Sequence, residues 1–310
     1  MIDTRFTHYD AFYHAYWGFI IGDAMGVPYE FTTRDAMKLS PAEPMKGGGI
    51  HNQVPGTWSD DSSMMLCVLH NLSEGGELKD LSKKFLEWYI YGAYSPHGEV
   101  FDIGNTTRSA LDRLVLGLMP DTTGNFKSSA GNGALMRCIP YAFTREFHRG
   151  TLQMQLENRI THQNELSDYC CFYYTRLIRS LAEGHDINKS MDYAKGTLRH
   201  GWRISGDEPT PHIKDFERLF YERFGDMPEN QIQSTGYVIH TLEAAVWCFM
   251  NSNDYEECVL KAINLGEDTD TIAALSGALA AVYYKIIPED LKSQVIKYEW
   301  LDKQFEEWVK

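Results

Sequence analysis

The chain has 310 residues, 43% of them hydrophobic, and a formal net charge of −14. A length of this order sets a prior of about two domains, and the apolar fraction is ample for one large core. The acidic balance argues against a nucleic-acid backbone or an anionic membrane as the main partner; it suits a protein that concentrates carboxylates to hold cations.

In chain order, residues 1–11 read as an N-terminal arm and 12–310 as one domain. No basic stretch followed by an apolar one marks a secretory signal. Six cysteines without a C-x-x-C pair fit a reduced, cytoplasmic compartment. From Ala11 to Ala24, the residues Phe12, Ala15, Tyr16, Phe19 and Ile20 recur at helical spacing. Gly22, Gly26 and Pro28 punctuate the end of that stretch, with Asp23 and Glu30 bracketing the turn. By themselves these residues favour an ordinary helix end and loop.

A glycine-rich loop, Gly47 to Trp58, leads into Ser59-Asp60-Asp61-Ser62 and then an apolar run. A helix cap uses at most one of those carboxylates. Leu81 to Tyr94 reads as a helix with an aromatic stripe, best explained by core packing, and Ser95 to Gly98 breaks it. Asp102 precedes a helix that starts near Asn105, either as a cap or as a site carboxylate. Pro120 to Arg137 is a polar loop running into a helix. The backbone N–H groups around Gly131, Asn132 and Gly133 suit phosphate, although one G-N-G is a weak signal. His162 stands before a helix, Asp168 to Glu183; a lone histidine is more often a structural hydrogen-bonder than a catalyst. Residues 186–235 are the most polar part and read as a surface excursion, not a second domain. Gly236 to Phe249 returns to a buried helix, and Asn251 to Leu265 forms a short one.

The stretch from Gly266 to Tyr284 carries the strongest pattern. Asp268, Asp270 and Thr271 stand before a run rich in Ala273, Ala274, Ser276, Gly277, Ala278, Ala280 and Ala281. A helix apolar all round belongs in a core or a membrane. The run from Thr271 to Ile287 is at the lower limit for a bilayer and has acidic flanks, so a central core helix is expected. Carboxylates two apart do not share a helix face, and converge only in a turn. With a hydroxyl they suit a hard cation; without one, mutual repulsion raises a pKa. Two such clusters in one chain favour a two-metal site with oxygen ligands, hence magnesium, manganese or calcium and not zinc. Glu289 to Lys310 is amphipathic and suits docking on the surface. Strand-like alternation is nearly absent, so the class is all-α.

Taken in order, G-D-A-M-G-V-P-Y-E (from Gly22), W-S-D-D-S, F-D-I-G-N-T-T, G-N-G-A-L-M-R, T-H and G-E-D-T-D-T-I-A resemble the ADP-ribosylglycohydrolases of the dinitrogenase reductase-activating type. The resemblance runs from about residue 12 to about residue 285. It implies a single compact all-α domain, an orthogonal helical bundle, with two magnesium or manganese ions at the base of a central cleft. Ser59, Asp60, Asp61, Asp268, Asp270 and Thr271 match its metal ligands. Glu30 and Asp102 match positions with catalytic roles, and Gly131, Asn132, Gly133 and His162 match positions around the ADP-ribose phosphates. Ser59 replaces a commoner threonine, and Glu267 stands where glycine is commoner.

The implied activity is hydrolysis of the bond between ADP-ribose and a protein side chain, with arginine preferred because Asp102 could pair with a guanidinium. An arm across the cleft could alter substrate choice or bind an ADP-ribosyltransferase toxin. Two rival readings are an immunity-type or structural binder without turnover, and a metal-dependent phosphohydrolase. A monomer is expected.

Overall fold

The computed structural model describes residues 6–124, 130–204, 211–221 and 223–310. Fifteen α-helices follow one another: α1 (Tyr9–Gly26), α2 (Arg34–Leu39), α3 (Asp60–Ser73), α4 (Leu78–Tyr91), α5 (Asn105–Val115), α6 (Ile139–Ala142), α7 (Phe147–Asn158), α8 (Glu165–Ala182), α9 (Ile187–Ile204), α10 (Glu217–Phe220), α11 (Val238–Met250), α12 (Tyr255–Asn264), α13 (Thr269–Tyr284), α14 (Glu289–Lys292) and α15 (Tyr298–Val309). Among the described residues there is no β-strand, only isolated bridges. The all-α expectation is borne out.

Gly18, Gly22 and Gly26 fall four residues apart and so line one face of α1. That face lies directly on α13. A Cβ at Gly22 would sit 2.3 Å from the Ala273 carbonyl oxygen, and one at Gly26 would sit 2.4 Å from the Asp270 Cα. The fit is reciprocal, since a Cβ at Gly277 would meet the Gly18 carbonyl oxygen at 2.4 Å. As α1 advances from Gly18 to Gly26 its neighbours on α13 recede from Gly277 to Asp270, so the two helices run antiparallel. Buried hydroxyls then satisfy carbonyls along the pair: Tyr255 donates to Gly18 (2.9 Å), Tyr174 to Leu275 (2.8 Å) and Thr269 to Gly26 (2.8 Å).

Helices α3, α8, α11 and α12 also pack on α13. Every residue from Thr269 to Val282 is buried, as an apolar-all-round helix requires. The tail docks as its amphipathicity suggests. Phe305 packs among Tyr9, Phe12, Tyr13 and Tyr16. Asp302 accepts from Tyr13 (2.7 Å) and Trp17 (2.8 Å) and pairs with Lys292 at 2.8 Å.

Two details differ from the expectations. The polar stretch after residue 186 contains an 18-residue helix, α9, laid along α8, with Met191, Ala194 and Leu198 buried. Its apolar positions are sparse enough that composition alone hides them; of the G-D-E-P-T-P segment, 206–211, residues 206–210 lie outside the described residues. The arm, over residues 6–8, does not cross toward Glu30. Thr7 donates to the Phe143 carbonyl (2.8 Å) and Phe6 packs on Phe12 (5.2 Å), at the opposite end of α1. Eighteen helical residues separate the two ends by about 27 Å. Residues 1–5 lie outside the described residues.

The close packing yields a paired prediction. Gly22→Ala is expected to cost about 1–3 kcal/mol or more through overpacking. Gly196→Ala, on α9 where a Cβ meets nothing within 4 Å, is expected to add about 0.5–1 kcal/mol. Thermal unfolding of both variants checks the contrast; a Gly22→Ala protein that melts with the wild type would show that α1 and α13 can part freely.

Candidate active site

The N-termini of α3 and α13 open into one cleft of about 700 Å³. Its lining includes Glu30, Asp60, Asp61, Asp102, Asp268, Asp270, Thr271, Gly131, Asn132, Gly133 and His162. Eleven of the twelve sequence-predicted site residues therefore face one cavity. Ser59 is the exception: it is 1% exposed and lies beneath, its hydroxyl accepting from the Asp61 N–H at 3.2 Å as the N-cap of α3.

Capping does not account for the aspartates. On α3 that duty falls to Ser59 and to Asp23, which reaches across from α1. The Asp23 carboxylate accepts from the Ser59 N–H (2.9 Å), the Ser62 N–H (3.0 Å) and the Ser62 hydroxyl. Asp60 and Asp61 are left free of it. Asp268 occupies the N-cap position of α13 at φ −93°, ψ 72°, yet makes no capping bond. Because the N-cap is not helical, Asp268 and Asp270 can both enter the cleft despite their spacing. Asp268 accepts from the Asn132 amide at 2.6 Å, and Asp61 accepts from the Thr271 hydroxyl at 3.3 Å. The other Asp61 oxygen, Oδ2, is buried without a partner.

The electrostatics are strained. Burial first, and then the Asp270 charge, pushes Asp61 and Asp268 well above the ordinary carboxylate range. Burial and then Asp102 do the same to Asp60. Glu30 is pushed up to about 10 and Asp102 to about 12, burial leading and Asp270 second in both. Asp23 rises to about 7 for the same two reasons. Among the described residues, no lysine or arginine lines the cleft. Carboxylates this close ionise together only if cations join them. An orphaned Asp61 oxygen, a cap-free Asp268 and oxygen-only donors fit a hard divalent ion. Oxygens of Asp23, Asp61 and Asp270 lie within 4.8 Å of one another.

Two residues escape a sequence reading. Asp23 looks like a helix-end residue because its partners lie 36 and 39 positions away. His51 looks like one residue of a loop, but its Nε2 stands 2.5 Å from Glu30 and 3.4 Å from Asp102. Burial pushes the His51 pKa down, and its ring shares a hydrogen bond with Glu30 while Asp102 stands close by. Among the matched positions, His162 is fully inside. Burial, then Arg137, lowers its pKa to about 3. The Gly131–Gly133 turn rests on its ring, where a Cβ at Gly133 would meet Cε1 at 2.7 Å. That turn is tied down by the Asn132 N–H donating to Gly236 (3.1 Å) and the Val238 N–H donating to Ala130 (2.9 Å).

The rim is strained in its backbone as well. Phe31 (φ 60°), Asp102 (φ 56°) and Glu267 (φ 66°) all line the cleft and all adopt the left-handed conformation. That conformation costs an ordinary L-residue roughly 1–2 kcal/mol, and it is a genuine outlier for a bulky side chain. A glycine at position 267 would avoid that cost.

An all-helical protein whose two acidic helix N-termini share one cleft is a distinct class, and the comparisons say which. The ADP-ribosylglycohydrolase family model matches residues 4–309. The ADP-ribosylarginine hydrolase Tri1 of Serratia proteamaculans is 33% identical over 300 residues, covering 92% of this chain and 73% of that one. The ADP-ribosyl-[dinitrogen reductase] glycohydrolase of Rhodospirillum rubrum is 27% identical, covering 93% and 88%. A solved ADP-ribosylglycohydrolase-related protein complex superposes with a TM-score of 0.77 at 26% identity, over 97% of this chain and 98% of that one. This chain belongs to the ADP-ribosylglycohydrolase family.

The charge arrangement makes a pH prediction. A carboxyl whose folded pKa lies above its unfolded value of about 4 holds more protons folded than unfolded. Its contribution to stability is present below about pH 4 and is lost as the pH rises through the folded value. For Asp23 the window runs from about 4 to about 7. Glu157 and Asp168, outside the cleft, share it. Buried His162, lowered to about 3, acts in the opposite direction over this range, but the raised carboxyl groups outnumber such histidines, so in a chelator the melting temperature is expected to fall as the pH is raised from about 4 to about 7. Asp61→Asn, which removes one cleft carboxylate, should raise the chelated protein's melting temperature at pH 7. An unchanged or lower value in that variant would show that the cleft carboxylates are not in conflict.

Proposed function

We propose that this chain hydrolyses the glycosidic bond between ADP-ribose and a modified arginine, releasing ADP-ribose and restoring the side chain. The observation that carries the reading is the convergence of two acidic helix N-termini in one cleft, α3 capped by Ser59 and Asp23 and α13 with no side-chain cap from Asp268. The family membership and the arginine-linked relative support the substrate. Asp60, Asp61, Asp268, Asp270 and Thr271 would hold two magnesium or manganese ions, with Ser59 supporting Asp61 from below. When bound, such ions supply positive charge and Lewis acidity toward ribose hydroxyls and water.

The protein's own groups then divide the proton work. Breaking the C–N bond at an anomeric carbon builds oxocarbenium character and leaves a nitrogen that needs a proton. Asp102 is the donor. Burial and the Asp270 charge raise both carboxyl groups, but Glu30 raises Asp102 further while a hydrogen bond with Asp102 lowers Glu30, so the proton of the pair sits on Asp102 and Glu30 is the group left to ionise. Glu30 takes a proton from the attacking water, and its contact with His51 fixes the carboxylate (2.5 Å). The turn at Gly131 to Gly133, its Asn132 N–H already donated to Gly236, would offer its remaining backbone N–H groups to the diphosphate, and His162 supports it from beneath. Residues 12–310 act as one domain, with 1–11 as an arm.

A cytoplasmic setting is supported by six buried free cysteines, and no helix among the described residues is long and apolar enough to cross a membrane. The biological partner would be a protein modified by an ADP-ribosyltransferase, including a transferase toxin. Occlusion of such a toxin without turnover is the second reading.

The test is release of ADP-ribose from an arginine-ADP-ribosylated protein in magnesium and in EDTA. Release in magnesium only is expected. Asp268→Asn should abolish it, and Glu30→Gln should lose turnover while still binding ADP-ribose. Full activity in Asp268→Asn would refute the two-metal reading, and no release in magnesium would favour occlusion.

A further inference from the structure

We infer that Phe31 and Glu267 form a guanidinium-reading rim that selects the modified arginine as leaving group; this rests on the reading of the previous subsection. Both residues hold left-handed backbones, and both line the cleft next to proposed catalytic or ligand positions, Glu30 and Asp268. They are stitched to each other. The Phe31 N–H donates to the Glu267 carbonyl and the Glu267 N–H donates to the Thr32 carbonyl, each at 2.7 Å. Glycine at either position would keep those backbone bonds and relieve the strain. What glycine would lose is a side chain facing the cleft mouth, so the side chains are what the strained backbone presents. Strain of this kind persists where surrounding structure over-determines it, and it clusters at ligand clamps.

The two side chains have complementary chemistry. Phe31 leaves 62% of its surface exposed, an apolar face with no core role to explain it. Glu267 is exposed beside it on the bonded loop. An aromatic face next to a carboxylate suits a planar, delocalised cation, which stacks on one and donates parallel hydrogen bonds to the other. An ammonium can use the charge but not the planar stack, and a serine hydroxyl can use neither. Among the described residues no lysine or arginine lines the cleft to compete for Glu267.

The experiment uses the full chain with magnesium and a small substrate, ADP-ribosylated arginine blocked at both backbone ends, so that no flanking peptide contributes. Phe31→Gly, Glu267→Gly and Glu267→Gln are each expected to raise KM by about tenfold, the scale of one cation–π contact or charge-assisted hydrogen bond. The effect should fall on KM and not kcat. The dissociation constant for free ADP-ribose, which lacks the guanidinium, should move less than about twofold on the same grounds. The two glycine variants should melt no lower than the wild type, because they relieve left-handed strain. Wild-type turnover with an unmoved KM in all three variants overturns this inference alone. A rise in the ADP-ribose dissociation constant that matches the rise in KM also overturns it, since the rim would then shape the cleft without reading the leaving group. Failure of the wild type to release ADP-ribose from arginine overturns both this inference and the proposed function.

Discussion

The backbone contact between α1 and α13 is the constraint on which everything else depends. Gly18, Gly22 and Gly26 bring α1 so close to α13 that carbonyl oxygens occupy the space side chains would take. Packing at this density transmits small shifts instead of absorbing them. It also sets a register. Because Gly26 sits on Asp270 and Gly22 on Ala273, Asp23 is carried to the place where the first turn of α3 begins. From there its carboxylate takes the Ser59 and Ser62 N–H groups. One helix–helix contact thus fixes the position of a third helix and, with it, Asp60 and Asp61.

This arrangement resolves an ambiguity built into acidic helix starts. An aspartate at an N-terminus is favourable for reasons unrelated to chemistry, so Asp60, Asp61, Asp268 and Asp270 could all be structural. The capping bonds decide the matter for α3, where Ser59 and Asp23 satisfy the first-turn N–H groups and leave two carboxylates surplus. At α13 the N-cap residue makes no side-chain capping bond at all. Surplus buried carboxylates are a liability for folding unless something positive joins them, and the high pKa values in the cleft express that liability.

How much of this was legible in the sequence follows from the range of each interaction. The core helix α13 was legible because its apolar run is local and continuous, and the two acidic motifs because each is contiguous. Convergence of Asp60 and Asp61 with Asp268 and Asp270 came from chemistry, not spacing. Asp23 and His51 were not legible as site residues. Their significance lies in partners far along the chain, and neither residue stands in a pattern of its own. The helix α9 was missed because its buried positions are interspersed with charge. The strain at Glu267 is a backbone property, visible in sequence only as a departure from glycine and unexplained until φ is known. His162 was weighed as a structural hydrogen-bonder and as a phosphate-side residue. Its full burial and low pKa make it a neutral prop for the Gly131–Gly133 turn, which reconciles the two.

The cleft therefore has two mechanically different halves. Its floor consists of first-turn residues of α3 and α13, held by backbone contact and by buried hydroxyls, and such sites keep their geometry when substrates come and go. Its rim consists of Glu30, Phe31, His51, Asp102 and Glu267, all on connecting segments, three of them in left-handed conformations. Those segments hold one another through reciprocal backbone bonds and the His51 contacts rather than through a helix. Hydrolysis of an ADP-ribose linkage sets different demands on the two halves. The sugar and the cations proposed for this site need fixed oxygens, which rigid helix ends supply. The departing side chain differs from one linkage to the next, and loops are where substitutions change a binding surface without disturbing a core. The division places the oxygens proposed to hold cations and sugar on the α1–α13–α3 frame, and the groups proposed for proton transfer and for the leaving group on the loops around it.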